Sequence, residues 1–234
     1  MELVQLMMWG NSFDDYCHIF DLKNDSLPRS ILDCSNVPSS FNAEVIQHNT
    51  LNIKVVSCSQ AYRDTFDALS KHSTQMLEKI DTSIKNHASK IEWKQYPSKD
   101  NFKNSRTVSV ETFLKDYKSG LSQRRYIPVS SLTKLPFKDN EFDMVLCCAS
   151  LFNTDESTLE SCLEIIKELC RVANEARIYP LLDNHGNNST LLGPVALALQ
   201  ASNYGLEIRH VNYDFIRGGN AMLRTWSQAC QVSQ

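Results

Sequence analysis

The stretch FDMVLCC at residues 142–148, followed by LESCLEIIKELCRV at 159–172 and ARIYPLL at 176–182, decides the fold. The first and third segments are nearly continuous apolar runs, which are typical of strands buried on both faces of a sheet. The middle segment places leucine or isoleucine at 159, 163, 166 and 169, the spacing of an amphipathic helix. Strand, helix and strand in this order predict a parallel β–α–β unit.

The same alternation of strands and helices extends outward from this unit. Upstream, the apolar runs at 31–34, 53–58 and 126–129 predict three further strands. Downstream, strands at 206–215 and 221–226 flank the turn signature Arg217-Gly218-Gly219-Asn220 and predict a terminal hairpin. The sequence therefore predicts a doubly wound α/β domain over residues 1–234, with a mostly parallel sheet and an antiparallel last strand.

Helical patterns fill the segments between the predicted strands. We predict one helix from Leu3 to Phe20, and a second helix that Ser39 or Ser40 caps. Residues 62–124 form a predicted helical insertion after the second strand. Its first helix has a long apolar face, and its second begins at Ser109 and ends at Gly120.

Composition excludes several classes of protein. The net charge is −3, which disfavours a protein whose main role is to bind nucleic acid. No segment reaches the roughly 18–20 apolar residues of a membrane span. The first residues lack the features of a signal peptide, so we expect a cytoplasmic protein. Eight cysteines without a C-x-x-C pair, and scattered histidines, predict neither a metal site nor a disulfide framework.

The charge is unevenly distributed along the chain. Residues 63–125 contain 13 Lys and Arg against 8 Asp and Glu. One interpretation is a solvated helical insertion, and the other is a docking face for an acidic protein partner.

Several motifs carry a family resemblance. They are ILDC at 31–34 with PSSFNAE at 38–44, LPFKDNEFD at 135–143, PLLD at 180–183 and RGGNAML at 217–223. On these motifs the chain resembles the class I S-adenosylmethionine-dependent methyltransferases, and within them an uncharacterised bacterial subgroup. The resemblance implies a Rossmann-like, seven-stranded sheet in which the antiparallel last strand lies beside strand five. Residues 1–27 would form a helical lid, and S-adenosylmethionine would lie across the carboxyl ends of the first strands.

The resemblance also implies a set of site residues. Those expected to contact the cofactor are Asp33, Cys34, Ser35, Asn36, Ser59, Gln60, Ser130 and Cys148. Those expected near a methyl acceptor, either a small molecule or a protein, are Phe152, Asn153, Tyr16 and His18. Catalytic residues stay unassigned, and the Asn/Asp-Pro-Pro-Tyr motif of base amino methylation is absent, which disfavours nucleic acid as the acceptor.

The cofactor motif departs from the family pattern at three positions. Ser35 and Val37 stand where the family has glycines, which accept backbone angles that are strained for other residues. Ser59 stands where a carboxylate would hold the ribose. Two hypotheses follow: an active methyltransferase with a remodelled loop, or a catalytically inactive methyltransferase fold that serves as a binding or scaffolding module.

Overall fold

The computed structural model describes residues 1–23, 25–35, 38–48, 52–153, 155 and 157–228. Seven strands form one sheet in the order β3–β2–β1–β4–β5–β7–β6. Their bounds are β1 Ser30–Asp33, β2 Lys54–Ser59, β3 Tyr126–Pro128, β4 Phe142–Cys148, β5 Ala173–Tyr179, β6 Tyr204–His210 and β7 Ala221–Ser227.

The pairing confirms the predicted topology. Strands β1 to β5 all run parallel to one another. Strand β7 is antiparallel and lies between β5 and β6. The register sets Asp33 of β1 beside Ser57 of β2. This mostly parallel, seven-stranded sheet is the Rossmann-like methyltransferase fold that the sequence predicts.

Helices cover both faces of the sheet. Their bounds are α1 Leu3–Met8, α2 Phe13–Ile19, α3 Phe41–Gln47, α4 Phe66–Asn86, α5 Lys99–Ser122, α6 Leu159–Val172 and α7 Leu192–Ala201, and short 3₁₀ turns span Gln60–Arg63 and Ala88–Lys90. Side chains alternate across the sheet: Ile31 belongs to the buried cluster that includes residues of α1 to α5, and Leu32 belongs to the one that includes residues of α6 and α7. Burial of both faces is what the continuous apolar strands predict.

The prediction of one helix from Leu3 to Phe20 is wrong. The segment divides into α1 and α2 because Gly10 has a φ of +67° and ends the helical path. Ser12 then caps α2, and its side chain accepts a hydrogen bond from the Asp15 amide. The break lets α2 pack on α3 while α1 packs on α4.

Two further boundaries differ from the prediction. Helix α5 begins after Ser98, whose hydroxyl accepts from the Asn101 amide, so Ser109 lies buried inside the helix. The strand predicted at 206–215 spans Tyr204–His210, and Asn203, with a φ of +64°, makes the turn that precedes it. The helices of the predicted 62–124 insertion are present as α4 and α5. The single-domain assignment and the role of residues 1–27 as a lid stay predictions.

Candidate functional site at the carboxyl edge of the sheet

The carboxyl ends of β1, β2, β3 and β4 meet at one edge of the sheet, where ligands of doubly wound folds bind. Asp33 ends β1 at this edge and is 1% exposed. Its Oδ1 accepts hydrogen bonds from the Tyr16 hydroxyl at 3.0 Å and the Ser35 hydroxyl at 2.5 Å. Its Oδ2 accepts from the Ser57 hydroxyl at 2.9 Å. Three hydroxyls of the protein itself therefore occupy most of the acceptor positions of this carboxylate.

The surroundings of Asp33 explain its protonation behaviour. Burial raises the pKa of Asp33, and the bonds from the hydroxyls of Ser35, Ser57 and Tyr16 act in the opposite direction without cancelling it. Burial also raises the pKa of Tyr16, and the nearby Asp33 charge adds to that rise. The Tyr16 hydroxyl accordingly keeps its proton and serves as a donor at neutral pH.

Packing of α2 and α3 holds Tyr16 at the sheet edge. The Tyr16 ring stacks on Phe41, with 4.5 Å between ring centroids and 12° between the planes. Tyr16 and Phe41 are both fully buried. The stacking contact and the Ser12 cap hold α2 in place, so the Tyr16 hydroxyl is positioned to donate to Asp33.

A polar chain continues from Asp33 toward α5. The Ser57 hydroxyl accepts from Asn42 Nδ2 at 3.1 Å, and Asn42 Oδ1 accepts from Arg125 Nη1 at 2.8 Å. Arg125 then makes two bonds to the Asp116 carboxylate, at 2.6 and 2.7 Å. Such a bidentate arrangement fixes both partners. The end of β1 is thus coupled to the insertion through consecutive hydrogen bonds.

At the end of β2, a nearby backbone amide occupies the side chain of Ser59. The Ser59 hydroxyl is 1% exposed and accepts from the Ala61 amide at 3.2 Å. Gln60 is exposed at the start of the following 3₁₀ turn. The Ser59 hydroxyl therefore caps the 3₁₀ turn Gln60–Arg63 by accepting a hydrogen bond from its backbone.

An open cleft of about 560 Å³ lies above the buried edge. Helices α1, α4 and α6 form its walls together with the loops after β1, β2, β3 and β4. Its volume lies in the roughly 300–1,000 Å³ range of small-molecule sites. The lining residues are Gln5, Met8, Trp9, Pro38, Ala61, Leu69, His72, Met76, Lys79, Leu132, Ala149, Ser150, Leu151, Ser157 and Ile165.

The residues that the sequence predicts as site residues lie beneath this cleft or away from it. Within the described part of the chain, none of them is among its lining residues. Asp33, Cys34, Ser35, Ser59, Cys148, Phe152, Asn153 and Tyr16 are buried, whereas Gln60 and Ser130 are exposed. His18 is partly exposed, and its Nδ1 lies 2.8 Å from the Asp14 carbonyl oxygen. Asn36 and Val37 fall outside the described residues. All of these binding roles stay predictions.

The structure nevertheless brings two of the predicted groups together. Tyr16, predicted near the acceptor, contacts Asp33 and Ser35, predicted near the cofactor. The cleft-facing stripe of α4 is a feature that the sequence analysis missed. The residues of this stripe, spaced by three, four and three positions, are Leu69, His72, Met76 and Lys79. Residues at this spacing share one helix face, so the stripe could have been found from the sequence.

A second buried polar cluster ties the N-terminal helices to α5. The Arg106 side chain is fully buried, and its Nη1 donates to Asp15 Oδ2 at 2.7 Å. Its Nη2 donates to the Tyr213 hydroxyl at 2.8 Å, and Tyr96 donates to the other oxygen of Asp15. Burial alone would raise the pKa of Asp15, but the Arg106 charge and the hydrogen bonds from Ser12 and Tyr96 hold it below its usual value.

Two other kinds of feature are absent from the described residues. No group of three or more His, Cys, Asp and Glu side chains there is arranged to hold a metal ion. No helix there combines the length and the apolar character needed to cross a membrane.

Comparison with known proteins agrees with the fold. No protein-family model matches the chain. The uncharacterised protein MJ0045 of Methanocaldococcus jannaschii is 28% identical over 232 residues, which cover 95% of this chain and 97% of that protein. Being uncharacterised, it indicates no activity, and the bacterial subgroup stays a prediction.

Solved structures with similar folds include proteins named as methyltransferases. A SAM-dependent methyltransferase from Aquifex aeolicus is 14% identical, with coverage of 96% of this chain and 92% of that one and a TM-score of 0.39. The PH0226 protein of Pyrococcus horikoshii is 13% identical, with coverage of 84% and 79% and a TM-score of 0.37. The chain has the methyltransferase fold. That assignment rests on its strand order, because likeness at these scores carries no weight for activity.

The described residues do not fit S-adenosylmethionine in the manner that the resemblance implies. This cofactor carries a sulfonium, an ammonium and a carboxylate group, so its net charge is positive and its two cationic groups call for acceptors. The Asp33 carboxylate is buried and already accepts three hydroxyl bonds. The described residues that line the cleft include no carboxylate, but they include Lys79 and His72.

Proposed function

We propose that this chain is a small-molecule-binding protein on a methyltransferase fold, without methyl-transfer activity. The observation that carries the proposal is the state of Asp33, the acid that should face the cofactor. Asp33 is 1% exposed, and its carboxylate accepts hydrogen bonds from Tyr16, Ser35 and Ser57. Releasing one of these hydroxyls without a new partner would cost about 1–3 kcal/mol.

Charge in the cleft supports the same conclusion. A net positive cofactor beside Lys79 meets a like charge, and no described lining residue offsets it. The missing ribose-binding acid at Ser59 removes a charge-assisted hydrogen bond of about 1.5–3 kcal/mol, which is one to two powers of ten in affinity. Together these effects favour a ligand other than S-adenosylmethionine.

Calorimetry with S-adenosylmethionine and S-adenosylhomocysteine tests the proposal. We expect no binding heat for the natural chain at ligand concentrations up to about 1 mM. Absence of heat there would mean that any binding free energy is weaker than about −4 kcal/mol, which corresponds to a Kd of about 1 mM. The combined variant Ser35→Gly, Val37→Gly and Ser59→Asp restores the family pattern and serves as the comparison. Micromolar binding of S-adenosylmethionine by the natural chain would refute the proposal.

The second candidate is an active methyltransferase for a small-molecule or protein acceptor. One observation favours it: the cleft lies at the carboxyl ends of β1 to β4, where the fold places its cofactor. Under this alternative, rate enhancement would rest on positioning the methyl donor against the acceptor. Methyl transfer from labelled S-adenosylmethionine to any acceptor, with micromolar cofactor binding, would support it.

The basic insertion stays open as a docking surface for a protein partner. Several of its cations already have acidic partners inside the chain, since Lys99 and Lys103 both contact Asp81, at 3.3 and 2.6 Å. Arg125 pairs with Asp116 at 2.6 Å. This internal pairing supports the solvated-insertion interpretation more than the docking one. A cytoplasmic location remains an expectation.

A further inference from the structure

One wall of the cleft is a stripe of α4 that carries two basic residues. Leu69, His72, Met76 and Lys79 are spaced by three, four and three residues and all line the cleft. Side chains at these spacings share one helix face. His72 and Lys79 are exposed, whereas Leu69 and Met76 are buried. The stripe therefore offers basic groups to solvent above an apolar base.

The remaining lining is apolar with a few neutral polar groups. Met8, the last residue of α1, and Trp9, its C-cap, lie on one side. The loops after β3 and β4 contribute Leu132 and Leu151, and α6 contributes Ile165. Gln5, Ser150 and Ser157 add neutral hydrogen-bonding side chains. A cleft of this kind binds an apolar body and orients it through a small number of polar contacts.

The basic groups of the stripe are not neutralised from within the described chain. Lys79 has no ion pair with any described residue, although Lys99 and Lys103 on the neighbouring helix both do. The described lining of the cleft contains no carboxylate. A charge left unpaired beside an apolar cleft attracts a ligand of opposite sign.

We infer that the cleft binds an amphipathic anion, with its apolar body against Trp9 and Met76 and its acidic group at Lys79. The inference rests on the proposed function, because it concerns the same cleft and names the class of its ligand. The acidic group can be a phosphate on a nucleoside or a carboxylate or sulfonate on an aromatic body, which share the same charge and apolar surface.

Fluorescence titration with a matched pair of dyes tests the inference. 1-Anilinonaphthalene-8-sulfonate carries the acidic group, and N-phenyl-1-naphthylamine is its neutral counterpart. We expect Lys79→Gln to weaken binding of the sulfonate about fivefold, the upper range for a solvent-accessible charge pair. Binding of the neutral dye should not change. Lys71→Gln is the matched control, because Lys71 is exposed on the same helix and does not line the cleft.

Displacement identifies the source of the acidic group. Displacement of the bound sulfonate by adenosine 5′-monophosphate, but not by adenosine, supports a nucleotide phosphate. Displacement by 1-naphthoate supports an aromatic carboxylate. Displacement by neither anion, equal affinity for both dyes, or equal effects of the Lys79 and Lys71 substitutions would overturn the inference.

The two proposals can fail separately. If S-adenosylmethionine binds tightly in calorimetry, the proposed function fails whatever the dyes do. If it does not bind and the neutral dye binds as well as the sulfonate, only the anionic ligand class is wrong. Quenching of tryptophan fluorescence in the natural chain but not after Trp9→Phe places the dye in this cleft, since Trp9 is the lining tryptophan.

Discussion

The buried pair of Arg106 and Asp15 makes the sharpest prediction about stability. Both side chains are nearly inaccessible, at 0% and 4% exposure, and lie 2.7 Å apart. Arg106→Met removes the positive partner and leaves the Asp15 carboxylate buried. Loss of one partner of such a pair costs about 3–5 kcal/mol. At about 2–4 °C per kcal/mol for a chain of this size, Tm should fall by roughly 6–20 °C.

The pH dependence of this variant follows from the pKa of Asp15. In the natural chain that pKa lies below its usual value, so the carboxylate contributes stability above about pH 3.9, which is lost as the pH falls through the folded pKa. In Arg106→Met, burial dominates and raises the pKa of Asp15. The stability difference between the two proteins should therefore be largest at neutral pH and shrink toward acid pH.

Urea unfolding of four proteins measures this prediction. They are the natural chain, Arg106→Met, Asp15→Asn and the double variant. Because the double variant carries no uncompensated charge, it should be more stable than Arg106→Met alone. A loss below about 1 kcal/mol for Arg106→Met, the range of exposed ion pairs, would refute the reasoning. Equal stability of the double variant and Arg106→Met would refute it as well.

Three further predictions concern the sheet edge and the terminal hairpin. Tyr16→Phe leaves Asp33 one donor short and should lower the unfolding free energy by about 1–3 kcal/mol in urea titration; no change would contradict the bond. The pKa of Asp33 is raised, so its contribution to stability is largest below about pH 3.9 and is lost as the pH rises through the folded pKa. The unfolding free energy of Asp33→Asn, measured against pH, should therefore decline less steeply than that of the natural chain over this window. Gly205→Ala would bring a methyl group to 2.3 Å from the Trp226 ring and should cost about 1–3 kcal/mol in thermal unfolding, whereas Gly193→Ala, with no atom within 4 Å of its added methyl, should be neutral or stabilising. Equal effects at the two glycines would contradict the packing argument.

Most of the sheet could be predicted from sequence because its strands are apolar and separated by helical patterns. The bounds predicted for β4 and α6 agree with the structure residue for residue. Local signals that compete with each other caused the errors. Ser109 has the chemistry of a cap, yet it is buried in α5 and donates to the Asn11 carbonyl, while Ser98 caps that helix.

The candidate site was less predictable because it depends on how the helices dock. The sequence places Asp33 at the end of a strand, but only the packing of α2 shows that Tyr16 covers it. The basic stripe of α4 is equally a matter of tertiary structure. A helix with exposed Lys79 and His72 has many solvent-facing positions, and the cleft appears only when α1 and the strand-end loops meet it.

The hydroxyls around Asp33 also constrain what its carboxylate can bind. For the Asp33 carboxylate to bind a ligand, Tyr16, Ser35 and Ser57 would have to give up their bonds. Each single step leaves a buried group without its partner and costs about 1–3 kcal/mol, a large share of a typical stability of about 5–15 kcal/mol. The three bonds therefore act together: removing one hydroxyl alone costs stability and still leaves Asp33 bound to the other two.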